Sequence, residues 1–345
     1  MKALVLTAPG GPKQLRVQEL PTPHVDSPDQ VLVQVKAGAL NHLDLFVADG
    51  LPGVTYSFPH IVGSDAAGTV HEVGSAVRQL RPGDRVMVNP TLSCGECVAC
   101  SAGEESLCSR IRVLGEHCSG TIAEHIVVPA ANLAPVPKDM PWAEAAAFSL
   151  ATLTAWRMLV TRARLEAGET VLIVGIGGGV ALAALQIALL RGARAIVTSG
   201  SPMKLELARR MGAEFTLQHH QDDVAAAVRK ITGGQGADVV VDNAGERSWQ
   251  ASLRSLRRGG RLVTCGATTG PFVQLDLRKL FWHQWSLLGS TLGSRREYAE
   301  IVALAGQGRL WPIIDRVVPL DQSLAAFERL QRGEQTGKLV IEVAP

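Results

Sequence analysis

Residues Glu169 to Gly192, ETVLIVGIGGGVALAALQIALLRG, constrain the fold more than any other stretch. A short β-branched apolar run, Val171 to Val174, leads into glycines at 175, 177, 178 and 179. An Ala/Leu-rich segment, Val180 to Leu190, follows and stops at Gly192, where a helix C-cap glycine belongs. Strand, tight glycine turn and helix make the opening unit of a dinucleotide-binding fold. Glycines let the backbone approach a pyrophosphate, and the N–H groups and dipole of a helix N-terminus hold its charge. A glycine turn alone also joins strands to helices in other α/β proteins.

The residues downstream repeat the pattern. Ala195–Val197 reads as a second strand. Ser201 and Pro202 cap and start a helix to Arg210, ended by Gly212. Glu214–Leu217, Asp238–Asp242, Arg261–Cys265 and Trp285–Leu288 read as further strands, with helical stretches between most of them. Such βαβ alternation predicts a parallel, doubly wound sheet.

The 345 residues suffice for two domains. The net charge of +2, with no dense Lys/Arg cluster, gives no reason to expect nucleic acid. The longest apolar helix candidate, Val180–Leu190, is shorter than the roughly 20 residues a bilayer span needs. The N-terminus breaks at Pro9–Gly10 before a signal-peptide core could form. The expectation is a soluble, cytoplasmic protein without a membrane or nucleic-acid partner.

The chain up to about residue 135 is β-rich. Ala3–Thr7, Val17–Glu19, Gln30–Lys36, Gly68–Val73, Arg85–Asn89 and Ile122–Val128 read as strands, with turns at Gly74–Ser75 and Pro82–Gly83. Short strands punctuated by Pro and Gly predict a compact, irregular barrel. Trp142–Val160 reads as a helix leading into the nucleotide domain.

Four of the six cysteines, Cys94, Cys97, Cys100 and Cys108, are spaced CxxCxxCx7C in a Gly/Ser-rich loop. Four thiolates on one loop can surround a tetrahedral Zn²⁺ at about 2.3 Å. Disulfides fit a cytosolic protein poorly, and CxxC pairs are too close for unstrained bridges. Similar spacings also hold iron–sulfur clusters. With every position a Cys, a zinc here leaves no place for substrate and is structural. Cys265 ends a predicted buried strand and reads as core.

These features together resemble the medium-chain dehydrogenase/reductase superfamily over essentially the whole chain. The GroES-like N-terminal part, the four-Cys lobe, the glycine turn and the closing strand Gly337-Lys338-Leu339-Val340-Ile341 occur in the same order. The resemblance implies an α/β protein with a GroES-like β-barrel catalytic domain, 1–145 and 291–345, and a Rossmann NAD(P)-binding domain, 146–290. It also implies a homodimer through the nucleotide-domain sheet around Leu287–Gly293, or a homotetramer.

Zinc alcohol dehydrogenases of this superfamily hold a catalytic Zn²⁺ with Cys, His and Cys, with a Glu nearby. Here the first Cys position is Asn41, in Asn41-His42-Leu43-Asp44. The Gly-His-Glu position reads Gly63-Ser64-Asp65, and the later Cys is Leu150, before Thr154-Ala155-Trp156. Asn, Ser and Leu cannot make the N/S ligand set zinc prefers, so no catalytic zinc is expected. His42, Asp44, His60, Asp65 and His117 could form a different site only by converging in space. Asn41-x-x-Asp44 instead resembles the metal-free quinone oxidoreductase branch, which usually lacks the four-Cys lobe.

The glycine turn allows two registers. GxxGxxG gives Gly175, Gly178 and Ala181; GxGxxG gives Gly175, Gly177 and Val180. Alanine replaces the third glycine more gently than valine does, so the first register is preferred. An acid expected after the second strand of NAD enzymes is missing from Ile196-Val197-Thr198-Ser199-Gly200-Ser201. Ser199 and Lys204 suit a 2′-phosphate, and His219 stands where quinone reductases often have a Tyr near it, so NADPH is expected over NADH. The resemblance also places Thr154 near the nicotinamide, Asn243 at the adenosine half, and Gly266 near the carboxamide. Gly179 and Val180 open the helix that meets the phosphates.

The expected reaction is hydride transfer from NADPH to a quinone or an α,β-unsaturated carbonyl. Asn41 and Ser64 are the candidate donors to the developing oxyanion, and Asp44 is their catalytic neighbour. Without a Lewis acid, simple alcohols are poor substrates. Two other readings remain: an alcohol dehydrogenase with substituted zinc ligands, and a non-enzymatic NADPH-binding protein. Only 4% of residues are aromatic, so no stacking platform identifies the substrate.

Overall fold

The apolar runs in the middle of the chain pair as six parallel strands in a computed structural model that describes residues 1–344. Their order is Phe215–Gln218, Arg194–Ser199, Thr170–Ile173, Ala237–Val241, Leu256–Thr264, Ser286–Gly289. The first strand in sequence therefore sits inside the sheet with later strands fanning to both sides. Ligands of such sheets bind beyond the strand C-termini at that reversal.

These strands lie in the second of two compact units, Thr152–Leu292; the first comprises Met1–Ala151 and the chain from Gly293 onward. One join falls inside the helix Trp142–Trp156. The helix expected to run to Val160 changes winding there, continuing as a π-helical turn over Arg157–Arg162.

The helix after the glycine turn, Gly179–Leu190, is apolar apart from Gln186, and Ala181 to Leu185, Ile187 and Ala188 are all buried. Gly178 is its N-cap. The chain leaves it through Gly192, whose φ of +74° is one that L side chains avoid. The next helix, Pro202–Arg210, starts as its residues require: Pro202 opens it and the Ser201 hydroxyl accepts from the Lys204 N–H. Leu172, Ile196, Val240, Leu253 and Leu262 belong to one core cluster on this sheet. At roughly 1.5–3 kcal/mol per fully buried aliphatic side chain, such residues carry most of the folding drive.

The first unit is built around one long strand, Gln30–Ala39, where Val31, Val33 and Val35 are fully buried. Asp65–Val73 pairs antiparallel along one side of it. His125–Pro129 and the C-terminal strand Lys338–Glu342 share the other side, at opposite ends. The seven-stranded sheet continues outward through Arg85–Val88 and Leu133–Pro135 on one flank and Ile314–Pro319 on the other. Leu15–Glu19, Lys2–Leu6 and His60–Ile61 form a second, three-stranded sheet. The N-terminal barrel expected from sequence is thus completed by strands from the end of the chain. Among the described residues, no helix is long and apolar enough to cross a membrane.

Candidate functional site

The sheet of the second unit ends in a cradle shaped for a dinucleotide. The turn after Thr170–Ile173 is held by Thr198, whose carbonyl accepts from the Ile176 N–H at 2.7 Å and whose hydroxyl accepts from the Gly175 N–H at 3.1 Å. Gly175 and Gly177 have φ of +72° and +136°. A Cβ on Gly177 would stand 2.5 Å from Lys204 Cδ, so the lysine stem lies across the turn. Gly178 has φ −84° and no heavy atom within 4 Å on its Cβ side. The backbone thus demands glycine at 175 and 177, a correction to the preferred Gly175/Gly178/Ala181 register. Gly178 leaves open space at the start of a helix whose first N–H groups have no partner within the helix. Open space, unpaired donors and the positive end of the dipole fit a pyrophosphate.

Ser199 ends the second strand, and its hydroxyl accepts from the Ser201 N–H at 3.2 Å. Its carbonyl accepts from the His219 N–H at 3.3 Å. A Cβ on the intervening Gly200 would stand 2.6 Å from His220 Nε2 and 3.2 Å from His219 Nε2. The two imidazoles pair edge to face with centroids 4.4 Å apart. Burial and then His220 lower the His219 pKa, which keeps that ring neutral near pH 7. His220 is a neighbour that sequence reading missed. The structure brings Ser199, His219 and His220 together around Gly200, and lays Lys204 on the glycine turn.

Asn243 lies beyond the fourth strand of this sheet. Its side-chain oxygen accepts from the Cys265 N–H at 3.1 Å and the Cys265 thiol at 3.2 Å. Gly266 lies against it, with Asn243 O 3.4 Å from a Cβ built there. Burial pushes the Cys265 thiol up to about 12, so it is inert at neutral pH. Thr154 is buried on the helix Trp142–Trp156.

In the first unit, the ligand atoms of Cys94, Cys97, Cys100 and Cys108 lie within 4.8 Å of one another. Sγ–Sγ separations are 3.8 Å for 94–100, and 3.5 Å for 97–100 and 94–108. Four sulfurs about 2.3 Å from one tetrahedral ion stand about 3.8 Å apart. That spacing admits a single ion and leaves no room for a multi-atom cluster. Cys108 Sγ accepts from the N–H groups of Cys94 at 3.4 Å and Arg110 at 3.3 Å. The lobe is a structural zinc site. Arg295, at the start of helix Arg295–Gly306, ties it down through Glu105 and Ser93.

A buried polar cluster forms where three neighbouring strands end. Register sets Asp65 opposite Ala39 and Val340 opposite the same residue on the other side, and Leu40 N–H donates to Leu339 O. Lys338, Asn41 and Asp65 therefore meet. Lys338 Nζ donates to Asn41 Oδ1 at 2.5 Å and to Asp65 Oδ2 at 2.9 Å. Asn41 Nδ2 donates to Asp65 Oδ2 at 2.9 Å, and the Leu150 N–H to Asp65 Oδ1 at 2.8 Å. Relative exposure is 8% for Asn41, 4% for Lys338 and 0% for Asp65. Asp44 Oδ2 accepts from the Asn41 N–H at 2.6 Å at the start of helix His42–Asp49. Burial pushes the Asp44 carboxyl up to about 7, against the opposing pull of the Asn41 N–H and the Lys338 charge.

Lys338 is the residue sequence reading missed; the one available signal was a lysine leading an otherwise apolar strand, KLVIE. Ser64 needs correction as an oxyanion donor. It is fully buried and its hydroxyl donates to Leu114 O at 2.7 Å, so its one proton is spent inside the fold. The histidines do not converge with the two acids: His60 Nε2 bonds Gly115 O, His117 Nδ1 accepts from the Val113 N–H, and His42 packs edge-on against Phe46. The positions that resemblance assigns to catalytic zinc ligands thus hold an amide engaged on both ends, a spent hydroxyl and an apolar side chain. Beside them lies an ammonium. That set does not fit a second zinc.

Comparison with known proteins agrees with this architecture. A family model described as alcohol dehydrogenase GroES-like domain matches residues 27–138, and one described as zinc-binding dehydrogenase matches 179–307. An alcohol dehydrogenase of Geobacillus stearothermophilus is 32% identical over 96% of this chain and 97% of its own. A crotonyl-CoA reductase of Streptomyces collinus is 31% identical over 96% of this chain and 83% of its own. A crystal structure of an NAD-dependent alcohol dehydrogenase superposes with a TM-score of 0.96 and 42% identity, covering all of both chains.

Proposed function

The chain belongs to the medium-chain dehydrogenase/reductase superfamily, on its zinc-type alcohol dehydrogenase-like side, and from that premise we propose that it is an NADPH-dependent reductase of quinones or α,β-unsaturated carbonyls. The superfamily makes it an oxidoreductase that binds NAD(P). The metal-free chemistry and the substrate class are our reading. It is carried by one observation: Asn41, Asp65 and Lys338 interlock where a catalytic zinc would need ligands.

A nicotinamide coenzyme, when bound, would supply a hydride. As hydride adds to a conjugated alkene or quinone, negative charge grows on the carbonyl oxygen. Asn41 answers that charge with an amide N–H. Asp65 holds the amide through its other hydrogen, and Asp44 holds the Asn41 backbone. The proton that completes the reduction comes from water, since no side chain in the cluster is both acidic and exposed. An alcohol has no comparable route here, because nothing lowers its pKa. The crotonyl-CoA reductase among the relatives favours an enone-type substrate.

NADPH is preferred in this reading because the second strand ends in Ser199 and Gly200 rather than an acid, with Lys204, His219 and His220 around it. We also expect a homodimer or homotetramer built on the strand Ser286–Gly289, which among the described residues pairs on one side only.

The names of several relatives support a second reading, alcohol oxidation. The deciding experiment assays quinones and enones with NADPH and NADH beside alcohols with the oxidised coenzymes, with zinc counted per chain. We expect zinc near one and chelator-insensitive quinone or enone turnover. Zinc near two, with alcohol oxidation lost to chelator and restored by zinc, sinks the proposal. Tight NADPH binding with no turnover on any panel leaves a non-enzymatic binding protein.

A further inference from the structure

We propose that Lys338 is a positioning residue that fixes the Asn41 amide in one orientation, with its N–H₂ edge as the only edge available to a ligand. An amide of this kind can ordinarily present either oxygen or nitrogen. Lys338 removes the choice. An ammonium has three donors and no acceptor, so the atom 2.5 Å from Nζ must be the amide oxygen. The nitrogen then lies against Asp65 Oδ2, an acceptor that requires a donor. Reversing the amide would set N–H₂ against the ammonium and oxygen against the carboxylate, two repulsions in a site only 0–8% exposed.

One Asn41 N–H is used on Asp65, and its second has no acceptor among the described residues. The ammonium also draws electron density from the amide oxygen, which strengthens the remaining N–H as a donor. The cluster therefore offers a donor to an electron-rich oxygen and offers it no acceptor. Two features show that the lysine is built for this task. Its strand register against Gln30–Ala39 sets it directly beside Asn41. Its charge is balanced by Asp65, which also grips the same amide, so the three groups move as one unit. The use of the donor rests on the proposed reduction; the orientation does not.

The test needs a readout that works without substrate. The chain has four asparagines, at 41, 89, 132 and 243. Selective ¹⁵N labelling of asparagine therefore gives four side-chain amide pairs, and Asn41→Ser assigns the one that matters. In the wild type, the Asn41 pair should show one slowly exchanging hydrogen and one that shifts when an enolate-like carboxylate or phenolate is added. In Lys338→Met the amide loses the cation on its oxygen and keeps Asp65 on its nitrogen, so the slow hydrogen should exchange faster and the gap between the two should narrow. In Lys338→Arg they should stay distinct. On an enone with NADPH, kcat should fall about 10²-fold in Lys338→Met, the scale of losing one oxyanion donor. NADPH affinity should stay within twofold, and Lys338→Arg should recover most of the rate.

If Lys338→Met does not fold, the charge-neutral pair Asp65→Asn/Lys338→Met takes its place, read against Asp65→Asn alone so that only the ammonium differs. An Asn41 amide unchanged by loss of the ammonium overturns the proposal. So does a loss confined to melting temperature, or one that falls wholly on NADPH affinity. If the wild type reduces no quinone or enone, the proposed function fails, and the amide spectra still decide the role of Lys338.

Discussion

Removing the Asp65 carboxylate is the most informative perturbation of this fold. Asp65 is 0% exposed and, among the described residues, carries the only negative group hydrogen-bonded to the Lys338 ammonium, itself 4% exposed. In Asp65→Ala the lysine keeps Asn41 Oδ1 and loses its counter-charge. Breaking a buried pair by deleting one partner costs about 3–5 kcal/mol, because the other charge stays desolvated and unbalanced. The first unit is of roughly 200 residues, for which 1 kcal/mol moves the midpoint by about 2–4 °C. The expected loss is therefore roughly 6–20 °C in its transition, read by differential scanning calorimetry. The same reasoning fixes the sign of a second measurement. Asp65→Ala/Lys338→Met buries no charge, so it should melt higher than Asp65→Ala although it carries one more substitution. A drop below about 3 °C for the single variant, or a double variant that melts lower still, would refute the view that the pair is desolvated and interdependent.

Four further outcomes follow from the geometry. Zinc should be near one per chain, and Cys100→Ser or a strong chelator should remove it and open the loop 94–108 to proteolysis, since the four thiols converge on one point that only a bound ion would hold together. Burial lifts the folded-state pKa of Asp44 to about 7 from its ordinary 3.8, so it binds its proton more tightly folded than unfolded. Its contribution to stability therefore falls, by on the order of 4 kcal/mol, as pH rises through that window; Asp44→Asn, which keeps an acceptor for the Asn41 N–H, should gain on the wild type in urea melts between pH 5 and 8. Gly177→Ala must place a methyl against Lys204 at φ +136° and should destabilise by about 1–3 kcal/mol, whereas Gly178→Ala should melt like wild type and bind coenzyme at least tenfold more weakly by fluorescence titration. Lys204→Ala should weaken NADPH about 10–100-fold, the scale of one charge-assisted hydrogen bond, and leave NADH unchanged; equal losses for both coenzymes would remove Lys204 from a 2′-phosphate site.

What could be read from sequence follows the range of the interactions involved. The strands and helices of the second unit are encoded by local periodicity and caps, and Ser201–Pro202 and Gly192 punctuate the chain where the sequence indicates. Leu256–Thr264 begins five residues before the expected strand because Arg257 to Gly260 carry no strand preference; pairing beside Ala237–Val241, across a register shift, draws them in. The four-Cys lobe was legible because its ligands lie within 15 residues on one loop. The polar cluster was not. Asn41 and Lys338 are 297 residues apart, and only strand register makes them neighbours. Ser64 looked like a donor because its type allows it, and Leu114, 50 residues away, takes its proton. The glycine register failed for a different reason: pattern matching cannot distinguish a glycine needed for its φ from one needed for empty space.

The strand that closes the first sheet is synthesised long after the strand it closes on. Gln30–Ala39 is made early, yet its partner Lys338–Glu342 arrives some 300 residues later, after the entire nucleotide-binding unit has been synthesised. Until then Ala37 to Ala39 lack their outer neighbour, and Asp65 is a carboxylate without the Lys338 ammonium to face. The nascent protein can complete its second unit, whose partners are all close in sequence, while the first stays open at an edge. A chain cut short by a few residues before 338 would possess every motif recognised here and still lack the charge at its centre. Synthesis through residue 338 is thus written into the site itself.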